Sequence, residues 1–395
     1  MSNYKLKKTF IGSSSLVIIL IGIFYIHQYT SRPLNVFARS DTGTNSSEPS
    51  DSSMVIRSAY IDTRARNGRK HPVLVIFAET SMEIRKHGLI EGCGADSINA
   101  KAFEISTLYF PWINQHYPKL THEEVMIDCY DLEVHENSTA FVRYRPLPNS
   151  KEAITGTIDI TYPARRDDYK DKVVVCTNCF GKPPWLSEWL KYQKTIGVDL
   201  VQLYVEEQFM SDNENLKIVE SYIQEGFLKV ENRKTYFDTS QINYHSQLLN
   251  YHDCLYRYRE VFEFAFFLDT DDFFIPRFPN KTNVHDYVNQ FFTEDNQVSA
   301  EFVWLKYFPD CGLTQPLSNL KDGNITRLLK VKEFWTASEK KFVCRPTLTT
   351  SVGIHSTAGI LEGTTIVHPP GNVAYIAHVR AQELLHLPRN ANCKT

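Results

Sequence analysis

The chain has 395 residues, with 43 Lys and Arg against 46 Asp and Glu, for a formal charge of −3. Its 42% hydrophobic and 23% charged residues exclude a disordered chain, a collagen-like fibre and a multi-pass membrane protein. The balanced charge argues against a general nucleic-acid binder, and the length suits two domains or one large one.

Residues 10–26 are apolar and carry no charge, and Lys5, Lys7 and Lys8 precede them. As a helix of ~1.5 Å per residue this stretch spans ~25 Å, the short end of a membrane crossing. The lysines place the N-terminus in the cytoplasm and the remainder in the lumen. Bulky Phe24, Tyr25, His27, Gln28 and Tyr29 stand where a cleaved leader needs small residues, so an uncleaved anchor is expected. A short span suits the thin early secretory membranes. The expected order is a tail (1–9), an anchor (10–26) and a stem rich in Ser, Thr, Asn, Asp, Gly and Pro (27–54). N-x-Ser/Thr sequons at Asn45, Asn137, Asn280 and Asn324, and eight cysteines, fit an oxidising lumen. Cys176 and Cys179 form a C-x-x-C without a second such pair, so they read as structural disulfide cysteines rather than half a zinc site.

Residues 55–166 hold short apolar, β-branched or aromatic segments, such as 72–77 and 139–144, separated by turn residues. They predict a β-rich accessory domain. Asp167, Asp168, Lys170, Asp171 and Lys172 make a polar joint, and a second domain is expected over 167–395. There the pattern changes. Apolar runs at 173–176, 200–205, 227–230 and 264–268 read as strands. Between them, helices are expected from Pro183 to Gly197, over 213–225 and over 240–259. This alternation predicts an α/β fold, a mostly parallel Rossmann-like sheet with helices on both faces. Ligands in such sheets bind beyond the carboxyl ends of the strands, which directs attention to the residues just after Cys176 (Thr177), Val205 and Leu268.

Asp269-Thr270-Asp271-Asp272 follows the fully apolar strand at 264–268. Crowded carboxylates need a balancing cation, and hard oxygens suit Mg²⁺ or Mn²⁺. Asp269 and Asp271, two apart, are expected on one side, holding a metal against a diphosphate. An acidic turn without ligand is the plainer reading of D-x-D; the buried strand before it and the luminal topology favour the metal.

The ordered segments V-V-V-C-T-N-C-F-G-K-P-P-W-L-S-E-W-L, Q-L-L-N-Y-H-D-C-L and F-F-L-D-T-D-D-F-F-I-P resemble glycosyltransferase family 92, a group of type II Golgi enzymes. The resemblance implies a GT-A-like fold and inverting transfer of a hexose, typically galactose from UDP-galactose, onto a glycan of a glycoprotein or glycolipid with Mn²⁺. Asp269 and Asp271 match the family's D-x-D, and Asp272 stands where the family more often has Glu. Glu188 and Trp189 match its acid–Trp pair. Gln247, Asp253 and Cys254 match the helix before the D-x-D, and Trp304 and Phe308 a Trp–x–x–Phe element. Thr177, Glu188, Asp253, Asp269 and Arg380 are therefore candidates for the nucleotide-sugar. GT-A enzymes often add a late His to the metal site, here His378 or His355. An inverting transferase also needs a base at the acceptor hydroxyl; Asp310 is the first candidate and Glu301 the second. After Phe308 the chain reads Pro309-Asp310-Cys311-Gly312, where the family usually has Gly directly. That departure keeps a second class in view, a catalytically inactive luminal carbohydrate-binding relative. A glycoside hydrolase would set its carboxylates ~5–9 Å apart across a sugar, and 177–182 is no sulfotransferase-type phosphate loop.

Overall fold

The computed structural model describes residues 54–64, 72–108, 121–135, 137–162, 168–180, 186–233, 246–277, 283–307 and 334–379, with backbone only at 306–307 and 334–339. The expected tail, anchor and nearly all of the stem, and Asn45, Asn280, Asn324, Asp310 and Arg380, lie outside the described residues. Among the described residues no helix is long and apolar enough to cross a membrane.

The first part of the chain gives β1 (Met54–Asp62), β2 (Val73–Ser81), the short helix α1 (Met82–Lys86), β3 (Ile90–Ala95), β4 (Ile98–Asn99), β5 (Ala102–Thr107), β6 (His122–Tyr130), β7 (Thr139–Tyr144) and β8 (Ile154–Asp159). These strands form two antiparallel four-stranded sheets, ordered β1-β2-β6-β5 and β4-β3-β7-β8. Leu74, Ile76 and Ala78 of β2 meet Val125, Ile127, Cys93, Ala140 and Val142 in a shared core. The Cys93–Cys129 disulfide ties one sheet to the other. Every residue of β2 is buried, because its opposite face, with Val73, Val75 and Phe77, packs on the second half of the chain. A strand covered on both sides must be apolar throughout, and the run V-L-V-I-F-A is.

The second half adds β9 (Val173–Cys179), α2 (Leu186–Thr195), β10 (Leu200–Val205), α3 (Glu207–Ser211), α4 (Asn213–Gln224), β11 (Leu228–Asn232), α5 (Gln247–Tyr258), β12 (Phe264–Phe267), β13 (Asp272–Pro276), α6 (Val284–Phe291), β14 (Gln297–Tyr307), β15 (Phe334–Cys344), β16 (Thr349–Val352), β17 (Thr357–Ile360), β18 (Thr365–Val367) and β19 (Ala374–Val379). Asp212 caps α4 by accepting from Glu214 and Asn215 N–H groups, which fixes where that helix starts. Gly197, past the end of α2, has φ +88°, a conformation that favours glycine.

The large sheet runs β11-β10-β9-β12-β15-β14-β19-β13, with β18 beside β14. The mostly parallel sheet expected from sequence is corrected here. Its parallel run is β11, β10, β9 and β12. Beyond β12 the sheet is mixed: β15 is antiparallel to both β12 and β14, β19 parallel to β14, and β13 antiparallel to β19. Strand runs in the sequence show that strands exist, but direction is set by the connections between them. Successive residues of β9 face opposite sides. Val173 and Val175 pack with Trp189 and Leu190 of α2, Val219 of α4 and Val288 of α6. Val174 and Cys176 pack with Leu248, Tyr251 and Leu255 of α5 and with the N-terminal sheet.

The same alternation corrects the reading of the C-x-x-C. Three apart on a strand, Cys176 and Cys179 lie on opposite faces. Cys176 pairs with Cys254 of α5, and Cys179 is buried against the other face of the sheet. The 176–254 bridge closes a sequence separation of 78 residues and fastens α5 to the central strand. Replacing both Cys176 and Cys254 by Ala is expected to lower stability by about 2–4 kcal/mol. Chemical denaturation of the full chain, with a non-reducing peptide map of the parent protein, checks this.

Candidate active site

β12 lies beside β9 and is followed by Leu268, whose N–H donates to the Cys176 carbonyl at 3.3 Å. The chain then turns. Asp272 N–H donates to the Asp269 carbonyl, and Asp269 N–H donates to Asp272 Oδ2, both at 3.0 Å. β13 departs from this turn paired with β19, with Asp272 opposite His378. Two further bonds pin it: Trp189 Nε1 donates to the Asp272 carbonyl at 2.7 Å, and Val379 N–H to the Asp271 carbonyl at 2.9 Å.

The reversal separates the two aspartates expected on one side. Asp269 turns towards α5 and β15. Its Oδ1 accepts from Gln247 Nε2 at 2.7 Å and from the Tyr251 hydroxyl at 3.3 Å, and its Oδ2 from Lys341 Nζ at 2.8 Å. Asp271 turns towards β19, with Oδ1 3.5 Å from His378 Nδ1. Asp272 sits between them, fully buried. Its Oδ1 accepts from Trp304 Nε1 and from His378 Nδ1, both at 2.8 Å, and its Oδ2 lies 3.5 Å from Lys341 Nζ. The Trp304 ring packs on the His378 ring at 4.1 Å between centroids. Among the described residues, ligand atoms of Asp271, Asp272 and His378 fall within 4.8 Å of one another, a group able to hold a metal ion.

The charges follow from burial and neighbours. Burial alone would raise the Asp272 carboxyl, but Lys341, His378 and the Trp304 hydrogen bond hold it below the usual carboxylate range. Desolvation, aided by the charges of Asp272 and Asp269, pushes Asp271 up to about 7 against the pull of His378. Burial works against charge on His378, yet Asp272 and Asp271 hold its pKa above the ordinary value. Three acids in one turn thus meet one lysine and one imidazole.

Other predicted residues lie elsewhere. His355 Nδ1 is 3.1 Å from the Lys340 carbonyl, and its ring is 6.3 Å from that of Trp304, so it stands outside the three-residue group. Glu301 on β14 is buried, with Lys340 Nζ at 3.0 Å and His368 Nδ1 at 3.5 Å. Thr177 is fully buried within β9. Glu188 is half-buried on α2, with its charge felt by Tyr222 of α4. Asn137 is exposed, with φ +71°.

Asp253, a candidate for the donor, lies away from the acid turn in a cluster of its own. It is fully buried on α5, where Tyr60 and Tyr204 hydroxyls donate to it at 2.6 Å each. Arg257 and Arg233 reach it at 2.8 and 2.9 Å, and both also pair with Glu231. Both its oxygens serve the fold. Burial opposes its charge, but the two arginines and two tyrosines hold it far below the usual carboxylate range.

Beyond β9 and β10, where the parallel strands open, lies a recess lined by Phe180, Glu206, Arg233 and Asn250, with Arg57 and Glu79 from the N-terminal sheet. Asn250 Oδ1, and both side-chain polar atoms of Asn178 on β9, are buried without a hydrogen-bond partner. Asn250 is one helical turn from Gln247, so α5 borders both the recess and the acid turn. Sequence reasoning missed the roles of Lys341, Tyr251 and Asn250. Lys341 left one sign: a charge directly before the apolar end of a strand, Phe342-Val343-Cys344.

The acid turn and its imidazole thus stand beyond the carboxyl end of a parallel strand, where α/β sheets bind their ligands. Residues 171–394 match glycosyltransferase family 92, and the chain belongs to that family. It is also similar to the Caenorhabditis elegans protein described as beta-1,4-galactosyltransferase galt-1, at 24% identity over 220 residues. That match covers 54% of this chain and 49% of the relative, so the chain spans about half the length of the curated relative it matches.

Breaking the Asp253 cluster leaves two buried arginines short of a counter-charge. Asp253→Asn is expected to cost about 3–5 kcal/mol. Because the folded pKa is depressed, this contribution is complete above the unfolded value of about 4 and is lost as pH falls below it. Urea denaturation from pH 3 to pH 7 checks both points: the variant's stability should fall less steeply in acid than the parent's.

Proposed function

We propose that the protein is a metal-assisted hexosyltransferase that moves galactose from UDP-galactose, with inversion, to a glycan on a glycoprotein or glycolipid. Family membership supports glycosyl transfer, and the relative's description supports galactose. The observation that carries the reading is the acid turn, where Asp271, Asp272 and His378 converge. Two carboxylates and an imidazole are a donor set that fits Mn²⁺ or Mg²⁺; burial first, and then the charges of Asp272 and Asp269, raise the Asp271 pKa, and a bound cation would lower it again. Asp271 and His378 would hold the ion, with Asp272 orienting the imidazole through Nδ1. The bound ion would supply positive charge to the departing diphosphate.

The chain's own groups fill the remaining roles. Gln247 and Tyr251 fix Asp269 at the strand end. The recess beside them would take the nucleoside, with Asn250 meeting its polar edge and Phe180 its ring face. Glu301 is a candidate for the proton from the acceptor hydroxyl, held in place by Lys340; Asp310 remains the other candidate. In this reading the sheet of β9 to β19 is a GT-A-like domain, the strands before residue 167 an accessory domain, and residues 10–26 the anchor of a type II protein in the Golgi or ER membrane.

UDP release from a panel of UDP-sugars, with Mn²⁺ and mixed glycan acceptors, tests the proposal. Release from UDP-galactose is expected, lost with EDTA and lowered at least a hundredfold by Asp271→Ala. Absence of Mn²⁺-dependent UDP binding by calorimetry would sink the reading.

A further inference from the structure

Lys341 has no place in the reading so far. It lies one residue before Phe342, which pairs with Phe267 near the end of β12. Since β15 runs antiparallel to β12, Lys341 projects past that end onto the acid turn. It is fully buried, and its ammonium lies 2.8 Å from Asp269 Oδ2 and 3.5 Å from Asp272 Oδ2. Burial opposes its charge, yet Asp269 and Asp272 keep its pKa above the ordinary lysine value. The ammonium takes one oxygen of Asp269, while Gln247 and Tyr251 take the other. Both oxygens of Asp269, the first acid of the D-x-D, are therefore engaged by the protein's own groups although its side chain is a third exposed, and Asp271, Asp272 and His378 are the ones left grouped.

We propose that Lys341 is a positioning residue that withholds Asp269 from the cation and weakens the negative field at Asp271, Asp272 and His378. The ion is then held loosely by the protein alone and firmly only together with an anionic diphosphate. This rests on the metal-assisted reading above. At an effective dielectric constant of ~20, a unit charge changes a cation's affinity by more than tenfold at separations of up to ~8 Å, so the effect of Lys341 is large enough to be measured.

The test is Mn²⁺ binding to the full chain, followed by paramagnetic resonance of the free ion, without donor or acceptor. Lys341→Gln and Lys341→Met are expected to bind Mn²⁺ at least tenfold more tightly than the parent, and Asp269→Asn at least tenfold more weakly. The double variant Asp269→Asn/Lys341→Met, which loses both charges, should return to within about threefold of the parent. A residue that merely supported the fold would weaken binding wherever it was replaced.

If the single lysine variants fail to fold, the comparison of Asp269→Asn with the double variant decides. Both lack the same carboxylate, so tenfold tighter binding in the double variant reports Lys341 alone. Equal binding in that pair, or unchanged or weaker binding in a folded lysine variant, overturns the inference and leaves the metal reading standing. If neither parent nor variants bind Mn²⁺, with or without UDP, the metal reading fails and this inference with it.

Discussion

The fully buried carboxylate of Asp272 ties the site together. An ionised carboxylate out of water is costly unless each oxygen is answered, and here four elements answer. Trp304 comes from β14, His378 from β19, Lys341 from β15, and the Asp269 N–H from the turn itself. The Asp272 carbonyl is also used, by Trp189 of α2. One side chain thus fixes the turn, selects the rotamers of His378 and Trp304, and leaves Asp271 facing the imidazole. The mixed half of the sheet brings these strands together, since β13 and β19 must lie antiparallel for Asp272 to face His378.

The second constraint is α5, in which every residue but Arg257 is buried. Such a helix cannot take its end partners from water, and the N-terminal sheet provides them. Glu124 of β6 accepts from the Leu249 N–H at 3.2 Å, and Glu79 of β2 accepts from the Ser246 hydroxyl at 2.6 Å. Further along, Tyr60 of β1 reaches Asp253, and Asp62 pairs with Arg259, just past the end of the helix, at 3.1 Å. Since α5 carries Gln247 and Tyr251 onto Asp269, the strands before residue 167 brace the acid turn although they lie outside the family match.

The readable parts of the site were local. The apolar run 264–268 ending in Asp269-Thr270-Asp271-Asp272 announces a buried strand opening onto acids, and the structure places that turn at the end of β12. His378 was one of two late histidines considered, and it is the one brought to the turn. The partners of Asp253 are not legible in the sequence, because a carboxylate in a matched motif looks the same whether it meets a ligand or two arginines. Spacing alone likewise could not show that Asp269 and Asp271 part company at a chain reversal.

The sequence by itself determined what depends on near neighbours: the first four strands of the second half and the helices between them, the β-rich first half, and the acids at a strand end, because alternation, capping and turn chemistry act over a few residues. Only the tertiary structure decided what depends on residues far apart in the chain. That includes the mixed order of the sheet, the 176–254 bridge, the enclosure of Asp253, and the placing of Lys341 and His378 on either side of Asp272. The physical reason is that desolvation makes a buried charge seek its partner through space, and the partner's distance along the chain leaves no mark in the local pattern.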